Sequence, residues 1–108
     1  MTLSPRMRRQ EDFLQSITKA NLPKNLRKSK LQEASKDEIN ALSEIALNTL
    51  KGNIPIDPPL MARLKAYKGT LRDTGKLTNS LKVRRNKFIN QKGQGFWKGM
   101  HDLCQCVL

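Results

Sequence analysis

Residues that carry most enzyme chemistry are scarce in this sequence of 108 residues. It contains one histidine, His101, so it cannot supply a histidine pair for a metal ion. Gly93 and Gly95 give G-x-G without the third glycine and the preceding strand that a dinucleotide-binding loop requires. We therefore predict a protein that is not an enzyme and uses no metal or other cofactor.

Cysteines and long apolar runs are also scarce. Cys104 and Cys106 are separated by one residue, a spacing poorly suited to a structural disulfide, which indicates a reducing compartment such as cytosol or nucleus. No apolar run approaches the roughly 18–20 residues of a membrane span, and the first five residues lack the apolar stretch of a signal peptide. We expect the protein not to be secreted.

Acidic and aromatic residues are also few in this sequence. Aromatics make up 5% of the chain and apolar residues 37%, which predicts a modest core. Nine acidic residues oppose 21 basic ones, so the formal net charge is +12. Such a charge indicates polyanionic partners: phosphate backbones, anionic membrane surfaces or acidic proteins.

Strand-like alternation is missing, and apolar residues instead recur at helical spacings. We predict an all-α fold, a small bundle of about four to six short helices. The widest apolar face belongs to segment 36–51, and its stripe consists of Ile39, Leu42, Ala46 and Leu50. Ser35 and Glu38 form a capping box before this helix, and Gly52 stands where a left-handed residue ends one.

Other helices follow from apolar spacing and stop signals. They are predicted at residues 10–21, 24–34, 58–74 and 78–91, the last beginning at Thr78 or Ser80. Asp57 caps the helix that has Pro58 at its first position. The predicted organisation is a flexible basic N-terminal tail at 1–9, a helical basic domain at 10–92, and a hinge with a C-terminal amphipathic helix at 93–108.

Cations are concentrated on the predicted helix 58–74 and on the helix after it. At about 100° per residue, Lys65, Lys68 and Arg72 lie roughly 100° from the apolar face. If the two helices form a hairpin, their cations make one surface for phosphates. The predicted nucleic-acid-binding residues are Arg63, Lys65, Lys68, Arg72, Lys76, Lys82, Arg84, Arg85, Lys87 and Lys92. No motif that reads bases is recognisable, so we expect contacts with phosphates, which orient the protein on the nucleic acid but do not select a sequence. The alternative is that this face is solvated and binds no ligand.

The apolar seam of the C-terminal helix is a second candidate surface. Its predicted partner-binding residues are Phe96, Trp97, Met100 and Leu103. These side chains close the core, or bind a capsid or other assembly protein, or rest at a membrane interface. The sequence leaves these alternatives open.

One stretch has a recognisable pattern. Residues 39–55, INALSEIALNTLKGNIP, and the later block KVRRNK at 82–87 resemble a family of small basic core proteins of Polinton-type and adintovirus-type elements. The resemblance covers roughly residues 35–95. It implies a virus-like or transposon-derived origin and a role like that of the small basic core proteins that pack DNA in adenovirus-like particles. Family members often have Gly-Gly-Phe-Leu after the basic block, whereas residues 93–97 here are Gly-Gln-Gly-Phe-Trp.

Charge, helical pattern and resemblance together predict sequence-nonspecific nucleic-acid binding and condensation. We expect DNA rather than RNA as the partner, in a virus-like particle or the nucleus. The alternative is an adaptor that docks a capsid or membrane-associated partner through its C-terminal helix. Neither prediction involves a small-molecule substrate, and a membrane is not the expected partner.

Overall fold

Helices alone make up the regular structure of the part of the chain described here. The computed structural model describes residues 4–19, 21–91 and 94–107, and over these ranges it contains eight α-helices and no strand. The helices are α1 Pro5–Arg9, α2 Glu11–Ile17, α3 Lys24–Glu33, α4 Lys36–Leu50, α5 Pro58–Lys65, α6 Lys68–Gly75, α7 Leu81–Ile89 and α8 Gln94–Val107. The all-α class is confirmed. The helix count exceeds the prediction because the N-terminal tail forms a helix and segment 58–74 forms two.

The central element is α4, and its ends follow the predicted signals. The Ser35 hydroxyl accepts from the Glu38 amide at 3.1 Å, and the Glu38 carboxylate accepts from the Ser35 amide at 2.8 Å. Beyond the other end, Gly52 adopts the left-handed conformation with φ +72°. The buried residues of α4 are Ile39, Asn40, Ala41, Leu42, Ser43, Ile45 and Ala46. A helix buried around so much of its circumference is a core element on which the others pack.

Residues 4–9 are part of the fold, which corrects the predicted flexible tail at 1–9 for these residues. Ser4 caps α1, Pro5 occupies its first turn, and Met7 is 0% exposed. The Ser4 hydroxyl also donates to Glu44 at 2.7 Å, which ties α1 to α4. The prediction of a flexible tail was based on the charges of this segment, whereas the buried side chain of Met7 anchors the segment in the core. Residues 1–3 lie outside the described ranges.

The predicted helix 58–74 is interrupted at Ala66 and Tyr67. α5 begins as predicted, with the Asp57 carboxylate accepting from the Leu60 amide at 2.9 Å. At Tyr67 the backbone leaves helical geometry, with φ −112° and ψ 17°. The interruption lets α5 pack on α8 while α6 packs on α4. Neither contact is visible in local periodicity, so the sequence pattern did not reveal the break.

The C-terminal helix α8 closes the core with an aromatic cluster. Phe96 meets the Tyr67 ring edge-on with centroids 5.7 Å apart, and Trp97 packs on Phe88 at 6.1 Å. The hinge predicted at the start of 93–108 is not present at Gln94 and Gly95, because both belong to α8, and Gly93 lies outside the described residues. A Cβ at Gly95 would overlap the Tyr67 hydroxyl. Within the described ranges, no helix combines the length and apolar character needed to cross a bilayer.

Candidate nucleic-acid interface

Four exposed cations follow one another along α5 and α6, and we call them the α5–α6 ridge. They are Lys65, Lys68, Arg72 and Lys76. Lys65 and Lys68 border the same shallow groove across the break between the two helices. Lys68 and Arg72 are four residues apart within α6, a rise of about 6 Å, and Lys76 is the residue that follows this helix. The ridge is therefore a succession of exposed positive charges along this part of the chain.

Carboxylates near the ridge already have partners in the chain. Residues 51–91 contain ten basic and two acidic residues, a net charge of +8. Asp57 caps α5, and Asp73 lies 3.7 Å from the Lys87 ammonium. Among the residues that the structure describes, no carboxylate forms an ion pair with a ridge cation. The ridge keeps its charge available for an external anion.

Other carboxylates gather at the far end of α4. Asp12, Glu33 and Glu38 border one surface depression at the N-terminal end of that helix, together with one cation, Lys30. The groove that contains Lys65 and Lys68 instead reaches Thr49 at the C-terminal end. Eleven residues of helix separate the positions of Glu38 and Thr49, a rise of about 17 Å. The surface at the N-terminal end of α4 is therefore richer in acidic side chains than the surface at its C-terminal end, which matches the polarity of the helix dipole.

Arg84 is not on this surface, which corrects its predicted role in phosphate contact. It is 5% exposed, and one guanidinium nitrogen donates to Asn40 Oδ1 and to Ser43 Oγ, each at 2.8 Å. Its Nε donates to the Asn79 carbonyl at 3.1 Å. Burial, together with the charge of Arg6, lowers the pKa of Arg84 from its ordinary value. The side chain joins α7 to α4 and cannot reach a phosphate without unfolding that contact.

Arg85 is partly buried and its guanidinium bonds to the protein's own backbone, which corrects its predicted role in phosphate contact. Its Nη1 donates to the carbonyls of Leu31 and Ala34, each at 2.7 Å. These carbonyls lie at the C-terminal end of α3, where a helix favours a cation. Arg85 therefore caps α3.

The remaining predicted cations differ in availability. Arg63 forms a short ion pair with Asp102 at 2.6 Å, which occupies it. Lys87 is only loosely paired, since it and its carboxylate partner are each about half exposed and such pairs contribute about 0–1 kcal/mol. Lys82 is exposed in the first turn of α7, and Lys92 lies outside the described residues.

The four predicted partner-binding side chains of α8 face the core. Phe96 and Trp97 are each 1% exposed, and Met100 and Leu103 are each 0% exposed. The prediction that they form a docking surface is wrong for the folded chain, because they pack against the other helices. The adaptor alternative has no exposed surface at these positions.

No set of three histidine, cysteine or acidic side chains in the described part of the chain is placed to hold a metal ion. Burial raises the pKa of the Cys104 thiol to about 12, so this side chain stays protonated at neutral pH and is a poor nucleophile.

Sequence reasoning left three cations of α3 out of the candidate sites. Lys24, Arg27 and Lys28 border one cavity together with Trp97. Their spacing of three and four residues, which places side chains on one helical face, was the available signal.

Comparison with protein-family models, with curated proteins and with solved structures gives no match to this chain.

Proposed function

We propose that this protein binds nucleic acid without sequence preference, and that the α5–α6 ridge is its principal contact surface. The observation that carries the proposal is the succession of four exposed cations, none of which forms an ion pair with a carboxylate of the described residues. Lysine and arginine side chains at this spacing can each neutralise a backbone phosphate and release its counterion. The described surface offers no recognisable base-reading element, so affinity comes from phosphate contacts.

We propose DNA rather than RNA as the partner. The protein would condense this DNA in a virus-like particle or in the nucleus. This narrower proposal rests on the resemblance of residues 35–95 to small basic core proteins of virus-like elements. The net charge of +12 supports it, since condensing DNA requires neutralising many phosphates at once.

A salt titration tests the role of the ridge. Affinity for a fluorescent DNA duplex is measured between low and moderate salt for the native chain and for a variant with Lys65→Gln, Lys68→Gln, Arg72→Gln and Lys76→Gln. Each lost phosphate contact lowers the slope of log affinity against log salt by about 0.9, so the variant should lose about 3–4.

A matched variant controls for net charge. Arg9→Gln, Lys19→Gln, Lys36→Gln and Lys98→Gln remove the same numbers of arginines and lysines from exposed positions outside the ridge. Its slope should fall by less than about 1. Equal losses in both variants would refute the ridge, and salt-independent binding would refute the whole proposal. Two unrelated duplexes should bind with affinities within a few-fold of each other, and a duplex RNA tests the preference for DNA.

A further inference from the structure

A cavity of about 270 Å³ lies between the N-terminal part of α3 and the C-terminal end of α7. Three cations of α3 border it, and three residues with amide side chains complete the polar part of its lining. The polar lining residues are Lys24, Asn25, Arg27, Lys28, Asn90 and Gln91. Apolar atoms of Trp97 and Phe88 form part of the remaining wall, and no lining residue is acidic. The cavity therefore has the composition of an anion site.

Arg27 is the group that makes this cavity unusual. It is 4% exposed, and its Nε and Nη2 donate to the carbonyls of Ile17 at 3.0 Å and Lys19 at 2.6 Å. Its guanidinium carbon stacks 5.0 Å from the centre of the Trp97 ring. Its partners in the described part of the chain are carbonyls and a ring, with no carboxylate among them. A buried charge with neutral partners alone is only partly compensated.

Two further features of α3 disfavour this arrangement in the absence of an anion. Lys24 and Lys28 are four residues apart on one helix face, where like charges repel. Lys24 is the first residue of α3, at the positive end of the helix dipole, and the first turn of this helix contains no acidic residue. An anion in the cavity would offset the charge of all three cations at once.

We propose that this cavity binds a phosphate monoester. A terminal phosphate carries close to two negative charges at neutral pH and offers several acceptor oxygens for lysine, arginine and amide donors. A cavity can enclose a terminal phosphate group, whereas the open ridge can follow the continuous phosphate backbone of a nucleic acid. A 5′-phosphorylated nucleic-acid end and a free nucleotide share this chemistry. None of the four ridge residues borders the cavity, so the proposal stands independently of the ridge.

Trp97 provides the readout, because it is the only tryptophan in the chain and contacts Arg27. Its fluorescence is followed during titration with inorganic phosphate at constant ionic strength set by chloride. The NMR signals of the Trp97 indole N–H and the Arg27 Nε–H are followed in parallel. A saturable response of these groups to phosphate, without a response to chloride, is expected.

Two variants test the residues. Lys24→Gln with Lys28→Gln should weaken phosphate binding by about tenfold or more, since two of three cations are lost while both positions stay exposed. The control pair Lys36→Gln with Lys51→Gln should leave it unchanged. No saturable shift at either reporter group, or an equal loss in both pairs, would overturn the proposal.

Oligonucleotides identify the source of the phosphate. Tighter binding of a 5′-phosphorylated strand than of its 5′-hydroxyl counterpart assigns the cavity to nucleic-acid ends. A nucleoside 5′-monophosphate that binds as well as the phosphorylated strand assigns it to free nucleotides. The ridge variant should keep the phosphate response, so failure of the cavity and failure of the ridge give different results.

Discussion

Arginine side chains in this protein have either a structural role or a surface role. The buried ones bond to the protein itself, and the exposed ones are available to a partner. Arg84 and Arg27 are buried and bond to neutral groups, whereas Arg72 is exposed on the ridge. Asn40 and Ser43 supply the acceptors for Arg84 on a helix that is otherwise apolar in its core. A polar pair three residues apart within an apolar stripe was the sequence signal that a buried donor would be required there.

Replacing Arg84 should therefore affect folding before it affects binding. Arg84→Ala leaves Asn40 and Ser43 buried without their donor, and we expect the free energy of unfolding to fall by about 2–4 kcal/mol. Urea denaturation measures this loss. Lys82→Ala, on the exposed side of the same helix, should change stability by less than about 0.5 kcal/mol. Equal effects of the two substitutions would contradict the structural role of Arg84.

Cys104 makes stability depend on alkaline pH. Its pKa is raised by burial from an ordinary 9.0 to about 12 in the folded chain. Below pH 9 both states keep the proton, so the full stability is present. Between these values the unfolded chain loses the proton first, and stability falls by about 1.4 kcal/mol per pH unit.

Urea denaturation between pH 8.5 and 11 measures this slope. Cys104→Ala should show a shallower decline, because lysine titration is common to both proteins and only the thiol differs. Parallel declines in the native chain and the variant would contradict the assignment.

At the scale of elements, α6 packs closely against the central helix α4. A Cβ added at Gly75 would lie 2.8 Å from the Leu47 amide nitrogen, which is backbone and cannot rotate away. Gly69 lies earlier in α6, and a Cβ there would meet nothing within 4 Å. The absence of a side chain at Gly75 is what allows α6 to approach the central helix.

The two glycines give a matched test. Gly75→Ala should lower the free energy of unfolding by about 1–3 kcal/mol, because the helices must separate. Gly69→Ala should be neutral or should raise it by up to about 1 kcal/mol, since alanine favours a helix more than glycine does. Thermal or urea denaturation of both variants measures the difference. If Gly75→Ala were as stable as Gly69→Ala, the close approach would be refuted.

The sequence predicted those helix boundaries that depend on neighbouring residues, and it missed those that depend on contacts with distant parts of the chain. The start of α4 and the start of α5 depend on caps within four residues of the helix, so both were predicted correctly. The break at Tyr67 depends on packing against α8, and the order of α1 depends on Met7 reaching the core. These contacts join distant parts of the chain, and local periodicity does not record them.

The candidate site shows the same division. Exposure of Lys65, Lys68 and Arg72 followed from their angle to the apolar face and was predicted correctly. The cations of α7 were assigned by charge alone, and Arg84 and Arg85 proved to be internal hydrogen-bond donors. Spacing predicts which residues share a helix face, but the neighbouring helix determines whether that face is covered.

For the whole molecule, self-repulsion is the consequence of a net charge of +12. Adding sodium chloride screens this repulsion, so we expect the native chain to gain about 1 kcal/mol between low and moderate salt, or roughly 4–8 °C in Tm. Thermal denaturation at several salt concentrations measures the gain. The ridge variant carries four fewer charges and should gain less. A Tm that falls as salt is added would show that the internal ion pairs outweigh the repulsion.

The unequal numbers of acidic and basic side chains at the two ends of α4 affect how the molecule orients itself as it approaches a charged partner. They give the protein a permanent electric dipole moment along its central helix, in addition to its net charge. In the field around a polyanion this moment exerts a torque, which turns the cationic end forward before the surfaces touch. For the proposed binding of nucleic acid, we therefore expect encounters to begin with the ridge facing the partner more often than random tumbling would allow.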